Sequence, residues 1–233
     1  MNILEVKNLC YAYPDGTKAL DGVNFSMEPG QKVAVLGANG AGKSTLMLHL
    51  NGILDGKGEI IVCGLKLEKK TIRQVRQKVG LVFQNPDDQL FCPTVFDDVA
   101  FGPQNMGLSK NEVSDRVAKA LSQVGLTGFE KRSPFHLSIG EKKRIALATV
   151  LSIDSELIVL DEPTTNLDPR GRREIVELLS KLEKSMIIVT HDFGLAKKLC
   201  KRSIIMAKGK IVADGQTQEI LSDEALLDGF GLV

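Results

Sequence analysis

The run Gly37-Ala38-Asn39-Gly40-Ala41-Gly42-Lys43-Ser44 sets a lysine and a hydroxyl directly behind closely spaced glycines. Its spacing, G-x-x-x-x-G-K-S, carries the chemistry of nucleoside triphosphate binding. Glycines let backbone N–H groups turn toward phosphate oxygens, and the start of a following helix adds partial positive charge. In that reading Lys43 reaches the β- and γ-phosphates and Ser44 ligates Mg²⁺. Gly37, Asn39, Gly40, Ala41, Gly42 and Thr45 complete the predicted ATP cradle. The plain alternative is a glycine-rich strand–helix turn without a ligand. Average residue frequencies give a chance match on the order of a per cent, and the flanking strand and helix weigh further against it.

Asp161 and Glu162 follow an apolar run at 157–160, which puts two carboxylates at the C-terminal end of a buried strand. Ligands of open α/β sheets bind at that edge. Asp161 is expected to hold Mg²⁺ through water, and Glu162 to act as general base on the attacking water. A strand ending in two acids is common, so the pair gains its meaning from the phosphate loop upstream. Ser138-Ile139-Gly140-Glu141, before the amphipathic run 142–151, reads as a helix capping box. The N-capped start of a helix is also an anion site, so the two readings are compatible. Asp168 precedes Pro169 and can serve as a helix N-cap.

The elements that position these groups follow from periodicity. Short apolar runs at 3–9, 23–27 and 32–36 read as strands, the last entering the glycine loop, with a helix predicted over 44–54. Further strands are expected at 59–63, 79–84, 157–160, 186–190, 203–206 and 210–213. Between 85 and 152 strand signals vanish and helical patterns at 110–124 and 140–151 take over. The coarse architecture is a helical block inserted into an α/β core.

Composition narrows the class. The 233 residues, 43% of them apolar, suffice to bury a core. With 30 basic and 29 acidic residues the net charge is +1, which argues against a nucleic-acid binder. Cys10, Cys63, Cys92 and Cys200 are widely spaced, favouring reduced thiols over zinc or disulfides. No apolar run approaches the roughly 18–20 residues that span a bilayer. A membrane role is therefore expected to require docking on a spanning partner.

Taken together, the motifs resemble those of the ATP-binding subunit of an ABC transporter, from Tyr13 to about Gly215. The resemblance implies an α/β ABC-ATPase nucleotide-binding domain. It has a RecA-like core, an N-terminal antiparallel β subdomain and an inserted α-helical subdomain. One domain over 1–233 is expected, with core segments 1–84 and 153–233 and a helical part 85–152. By resemblance, Gln84 is the glutamine that senses Mg²⁺ and the γ-phosphate, and His191 the switch histidine on that phosphate. Gln84 otherwise reads as an ordinary solvated strand-end residue, and His49 and His136 as structural. Ser138, Gly140 and Glu141 match the signature turn that meets the γ-phosphate held by an opposite subunit. Asn166-Leu167-Asp168 matches the loop that crosses the dimer interface. Tyr13, with Tyr11 as second candidate, matches the aromatic platform for adenine, against burial as the alternative. The family pattern is L-S-G-G-Q or L-S-G-G-E, and here Ile139 occupies the first glycine position. Helix position N1 has ordinary negative φ, so isoleucine fits there but adds bulk beside the facing phosphate.

A narrower resemblance covers 84–91 and 94–103, with Glu141-Lys142-Lys143-Arg144 and Tyr13-Pro14-Asp15-Gly16-Thr17. These segments are similar to energy-coupling-factor importers, particularly the cobalt and nickel branch, and vitamin importers share much of them. The resemblance implies ATP and Mg²⁺ as cofactors and a homodimer or a heterodimer with a second ABC ATPase subunit. It further implies an integral membrane coupling protein, a substrate-binding membrane protein, and a peripheral place on the cytoplasmic face of the cell membrane. Leu90, Phe91, Val95, Phe96, Val99 and Phe101, with Asp87, Asp88, Asp97 and Asp98 around them, are expected to form an acid-rimmed docking groove or a packed helix. A soluble ABC protein acting on translation or DNA would carry paired nucleotide domains or a coiled coil. A phosphate-loop kinase or GTPase would lack the signature turn and His191.

Overall fold

A computed structural model describes residues 1–232; Val233, the last residue of the expected domain span, lies outside them. The chain opens with β1 (Leu4–Ala12), β2 (Lys18–Met27) and β3 (Lys32–Leu36), then α1 (Lys43–Leu50), β4 (Lys57–Val62), β5 (Leu65–Lys66), α2 (Ile72–Lys78) and β6 (Val79–Val82). Three helices follow: α3 (Val95–Asn105), α4 (Lys110–Gln123) and α5 (Ile139–Ser152). Strands return with β7 (Leu157–Asp161), α6 (Pro169–Lys181), β8 (Ser185–Val189), α7 (Phe193–Leu199), β9 (Arg202–Ala207) and β10 (Lys210–Gln216), before α8 (Thr217–Ile220) and α9 (Glu224–Gly229).

An antiparallel sheet in the order β2-β1-β4-β5 stands beside a six-stranded sheet in the order β10-β9-β3-β8-β7-β6. Neighbours from β9 to β6 are parallel, with β10 antiparallel at the edge. Parallel strands are covered on both faces, so their sequences are apolar throughout, yet alternate residues still face opposite layers. Val33 and Val35 of β3 pack toward the antiparallel sheet, while Ala34 and Leu36 join the core with the helices. β7 and β8 divide in the same way. The C-terminal ends of β3, β6, β7 and β8 therefore share one sheet edge, and the loops leaving it carry the residues singled out by sequence.

Two expectations change. The helix predicted to reach residue 54 stops at Leu50, where Asn51 and Gly52 turn the chain. Helix α2 escaped prediction because only Val75 among its residues is buried, leaving no periodic apolar stripe to read.

The acid-rimmed groove also needs correction. Leu90, Val95 and Val99 are fully buried in the core, whereas Phe91 and Phe101 are exposed and meet edge to face at 5.2 Å. Asp98 is not on a rim: it is 3% exposed, and its Oδ1 accepts the N–H groups of Phe91 and Cys92 at 3.0 Å each. Burial pushes its carboxyl above the usual range, against those two hydrogen bonds. Asp87 is paired with Lys142 at 2.7 Å. Asp98→Ala would strand two backbone donors, at about 1–3 kcal/mol each, so chemical denaturation should show a loss of about 2–6 kcal/mol. A loss below about 0.5 kcal/mol, the ordinary level for surface changes, would deny Asp98 that clamping role.

Candidate nucleotide site

Strand β3 delivers the chain to the glycine loop, and the loop's shape depends on glycine at two positions. A Cβ on Gly42, whose φ is 101°, would lie 2.5 Å from the Ala19 carbonyl oxygen. A Cβ on Gly37 would lie 2.4 Å from the Met206 carbonyl oxygen. Only glycine lets the loop pass this close to neighbouring backbone. Lys43 Nζ folds back to donate to the Gly37 and Ala38 carbonyls at 2.6 and 3.0 Å. Burial pulls its ammonium below the usual lysine range, opposed by Glu162 and Asp161. An open cavity of about 330 Å³ lies over the loop, lined by Tyr13, Lys18, Asn39, Lys43, Ser44 and Thr45 among others.

Tyr13 stands at the mouth of that cavity, 37% exposed, with its hydroxyl 2.9 Å from Thr45 Oγ1. Tyr11 is instead partly buried and packs its ring edge to face on His49 and on Tyr13. Of the two aromatic candidates, Tyr13 is thus the one offering a face beside the loop.

At the far side of the loop Ser44 Oγ donates to Asp161 Oδ2 at 3.0 Å, joining α1 to the end of β7. Burial raises the Asp161 carboxyl above its usual range, with Glu162 adding to the rise and the Ser44 bond opposing it. Glu162 is buried and holds a left-handed backbone, φ 45°, unusual for a residue with a side chain. Its N–H donates to the Val189 carbonyl at 2.8 Å, locking β7 to β8. Its Oε1 lies 2.7 Å from His191 Nδ1, and its Oε2 accepts from the Thr190 and Thr165 hydroxyls at 3.2 and 3.3 Å. His191 itself is exposed at the sheet edge.

The structure thus brings Lys43, Ser44, Asp161, Glu162 and His191 together. Ser138, Ile139, Gly140 and Glu141 of the signature turn make none of these contacts; the cavity over the loop is lined by neither that turn nor Gln84, Asp161, Glu162 or His191. That turn forms a complete capping box at the exposed start of α5. Ser138 Oγ accepts from the Glu141 N–H at 3.3 Å, and Glu141 Oε2 accepts from the Ser138 N–H at 2.8 Å. These bonds hold the Glu141 carboxyl below its usual range. Ile139 is exposed beside it. Asp168 caps α6 by accepting the Gly171 N–H at 2.7 Å.

Gln84 is exposed just beyond β6. Sequence reasoning missed two residues that fix its segment. Gln89 Oε1 accepts the Phe83 N–H at 3.1 Å, while its Nε2 donates to Ala146 O and Thr149 Oγ1 on α5 at 2.9 and 2.8 Å. Lys143, on α5, donates to the carbonyls of both Gln84 and Glu162 at 3.0 Å, and burial pulls its ammonium down to about 8. Their partners are mostly backbone groups, which leave no pattern in a sequence.

Comparison with known proteins matches this geometry. The family model for ABC transporters covers residues 20–165. A putative ABC transporter ATP-binding protein of Streptomyces avermitilis is 53% identical, over 96% of this chain and 86% of that relative. The energy-coupling factor transporter ATP-binding protein EcfA of Methanocaldococcus jannaschii is 52% identical, over 96% of this chain and 82% of its own length. Among solved structures, cbiO1 from Clostridium perfringens, part of the ABC transporter complex cbiONQ, superposes with a TM-score of 0.86 at 38% identity, covering 99% and 95% of the two chains. The ATP-binding cassette MJ0796, solved as a dimer in a post-hydrolysis state with ADP and Pi, gives 0.80 at 27% identity, covering 92% and 98%. The chain belongs to the ABC transporter family, as an ATP-binding subunit that hydrolyses ATP.

Proposed function

We propose that this chain energises an energy-coupling-factor importer whose cargo is cobalt or nickel ions, with vitamin cargo as the second reading. The hydrogen-bonded set Ser44–Asp161 and His191–Glu162, gathered at one sheet edge over the phosphate loop, is the observation that carries the ATPase part. The similarity to EcfA and cbiO1 supports the importer class, and the segments 84–91 and 94–103 support the metal branch.

In this reading the loop N–H groups and Lys43 hold the phosphates, Tyr13 stacks on the base, and Glu162 takes the proton of the attacking water. His191, bonded to Glu162, contacts the γ-phosphate. Ser44, Asp161 and Gln84 offer hard oxygens suited to Mg²⁺, which when bound neutralises charge between the β- and γ-phosphates. Among the described residues no cluster of three His, Cys, Asp or Glu side chains could hold a metal alone. An Mg²⁺ site of this kind leans on phosphates and water, as is usual for that ion.

Ser138, Gly140 and Glu141, which match the family's signature turn and stand at the exposed start of α5, act on the nucleotide of an opposing ATPase subunit, either a second copy or a related chain. No helix among the described residues is long and apolar enough to cross a membrane. The similarity to EcfA and cbiO1 supports a peripheral place for the subunit on the cytoplasmic face, against a membrane coupling protein. Its docking site is the cavity of about 610 Å³ between α2 and α3, lined by Arg73, Arg76, Phe101 and Met106 among others. Phe101→Asp puts a charge at an exposed aromatic anchor, worth at least about 2 kcal/mol where such anchors carry binding. Uptake of labelled Co²⁺ or Ni²⁺ by the whole complex should fall more than about tenfold while ATP affinity of the subunit stays unchanged. Unaltered uptake and co-purification would place docking elsewhere; vitamin uptake with no metal uptake would favour the second reading.

A further inference from the structure

Lys143 is a buried ammonium that the catalytic scheme above leaves without a task. It is 4% exposed and makes no direct ion pair among the described residues, although the Glu162 and Asp161 carboxylates act on it from farther away and partly offset its burial. Its two partners are main-chain carbonyls from distant parts of the chain, Gln84 O and Glu162 O, each 3.0 Å from Nζ. Burying a charge without a counter-ion is costly unless hydrogen bonds compensate. A methionine would fill the same space without that cost, so packing alone does not call for lysine here.

The three points that Lys143 joins are the ones whose relative position matters. Gln84 stands where the chain leaves β6 for the helices. Helix α5, which carries Lys143, starts at the Ser138 capping box. Glu162 holds its strained left-handed backbone with its N–H bound to Val189 and its carbonyl bound to Lys143. Both main-chain hydrogen-bonding groups of that residue are therefore fixed, which sets the direction in which its carboxylate leaves the backbone. A shift of α5 must either carry Glu162 and Gln84 with it or break two charge-assisted hydrogen bonds.

We propose that Lys143 is a positioning residue: it fixes the backbone of Glu162 relative to Gln84 and so makes the aim of the water-activating carboxylate depend on where helix α5 sits. This rests on the reading of Glu162 as general base. Displacing a reacting group by about 1 Å can cost on the order of 10²-fold in rate.

The test uses the assembled transporter with Lys143→Met and Lys143→Arg, measuring kcat, KM, ATP affinity and melting temperature. Lys143→Met should lower kcat about 10–100-fold and leave ATP affinity within about threefold, since the phosphate contacts are untouched. Lys143→Arg, which keeps a cation and its donors, should recover most of the lost kcat. In a Glu162→Gln background, measured in a single turnover, Lys143→Met should reduce the residual rate by less than about threefold, because coupled residues are non-additive. An unchanged kcat, an affinity that falls in step with kcat, or equal losses in both backgrounds would overturn the proposal. If Lys143→Met does not fold, Lys143→Gln carries the same comparison of kcat against affinity. Glu162→Gln alone separates the two levels. If it keeps turnover, the base assignment fails. If it is inactive while Lys143→Met turns over normally, only the positioning role fails.

Discussion

Glu162→Gln should abolish steady-state ATP hydrolysis while leaving ATP binding intact. The substitution keeps the side chain's size and its capacity to meet His191 Nδ1 and the Thr190 and Thr165 hydroxyls, which now lie 2.7, 3.2 and 3.3 Å from the carboxylate. What it removes, on the proposed role of Glu162, is the acceptor for a proton from the attacking water. Loss of a placed general base costs about 10²–10⁴-fold. The phosphate loop lies on the other side of Asp161 and should hold nucleotide as before. Radiolabelled ATP hydrolysis beside equilibrium binding checks both halves. Near-normal turnover would remove Glu162 from the role.

Lys43→Ala should fail in the opposite way, at binding. The ammonium meets the Gly37 and Ala38 carbonyls of its own loop at 2.6 and 3.0 Å, which holds it beside the backbone N–H groups expected to cradle the phosphates. Truncating one partner of a desolvated charge pair costs about 2–5 kcal/mol, so ATP affinity should fall by roughly 30- to 5,000-fold. Gly37 and Gly42 keep the loop's shape in this variant, and its melting temperature without nucleotide should hardly move. Calorimetric ATP binding measures the loss. An affinity within threefold of the parent would mean that the backbone N–H groups alone carry the phosphates.

The sequence made some of this visible and hid the rest, for physical reasons. Gly37 to Ser44 announce themselves because phosphate binding requires those residue types at fixed offsets. Asp161 and Glu162 stood out because a buried parallel strand is apolar until it reaches the sheet edge. Helix α5 and its cap were legible from S-x-x-E, a local rule satisfied within one turn. Nothing local marks Lys143 or Gln89, whose partners Gln84 O, Glu162 O, Phe83 N and Ala146 O are brought near only by the fold. Asp98 misled for the complementary reason. An acid in the first turn of a helix usually favours the dipole from a wet surface, but this one turns inward to hold the Phe91 and Cys92 N–H groups. Tyr13 was preferred over Tyr11 on resemblance alone, and the packing of Tyr11 on His49 and of Tyr13 over the loop cavity gives that preference its physical ground.

The signature turn at Ser138 belongs, in this reading, to the nucleotide of another subunit. Sedimentation of the Glu162→Gln chain tests that most directly, run alone and mixed with any second ATPase subunit of the transporter, with and without saturating ATP. ATP trapped without hydrolysis should bring two ATPase chains together in at least one of these mixtures, at twice the mass of a single chain, and removing the nucleotide should return single chains. Single-chain mass in every mixture, at an ATP concentration shown to fill the site, would contradict a site completed across two subunits.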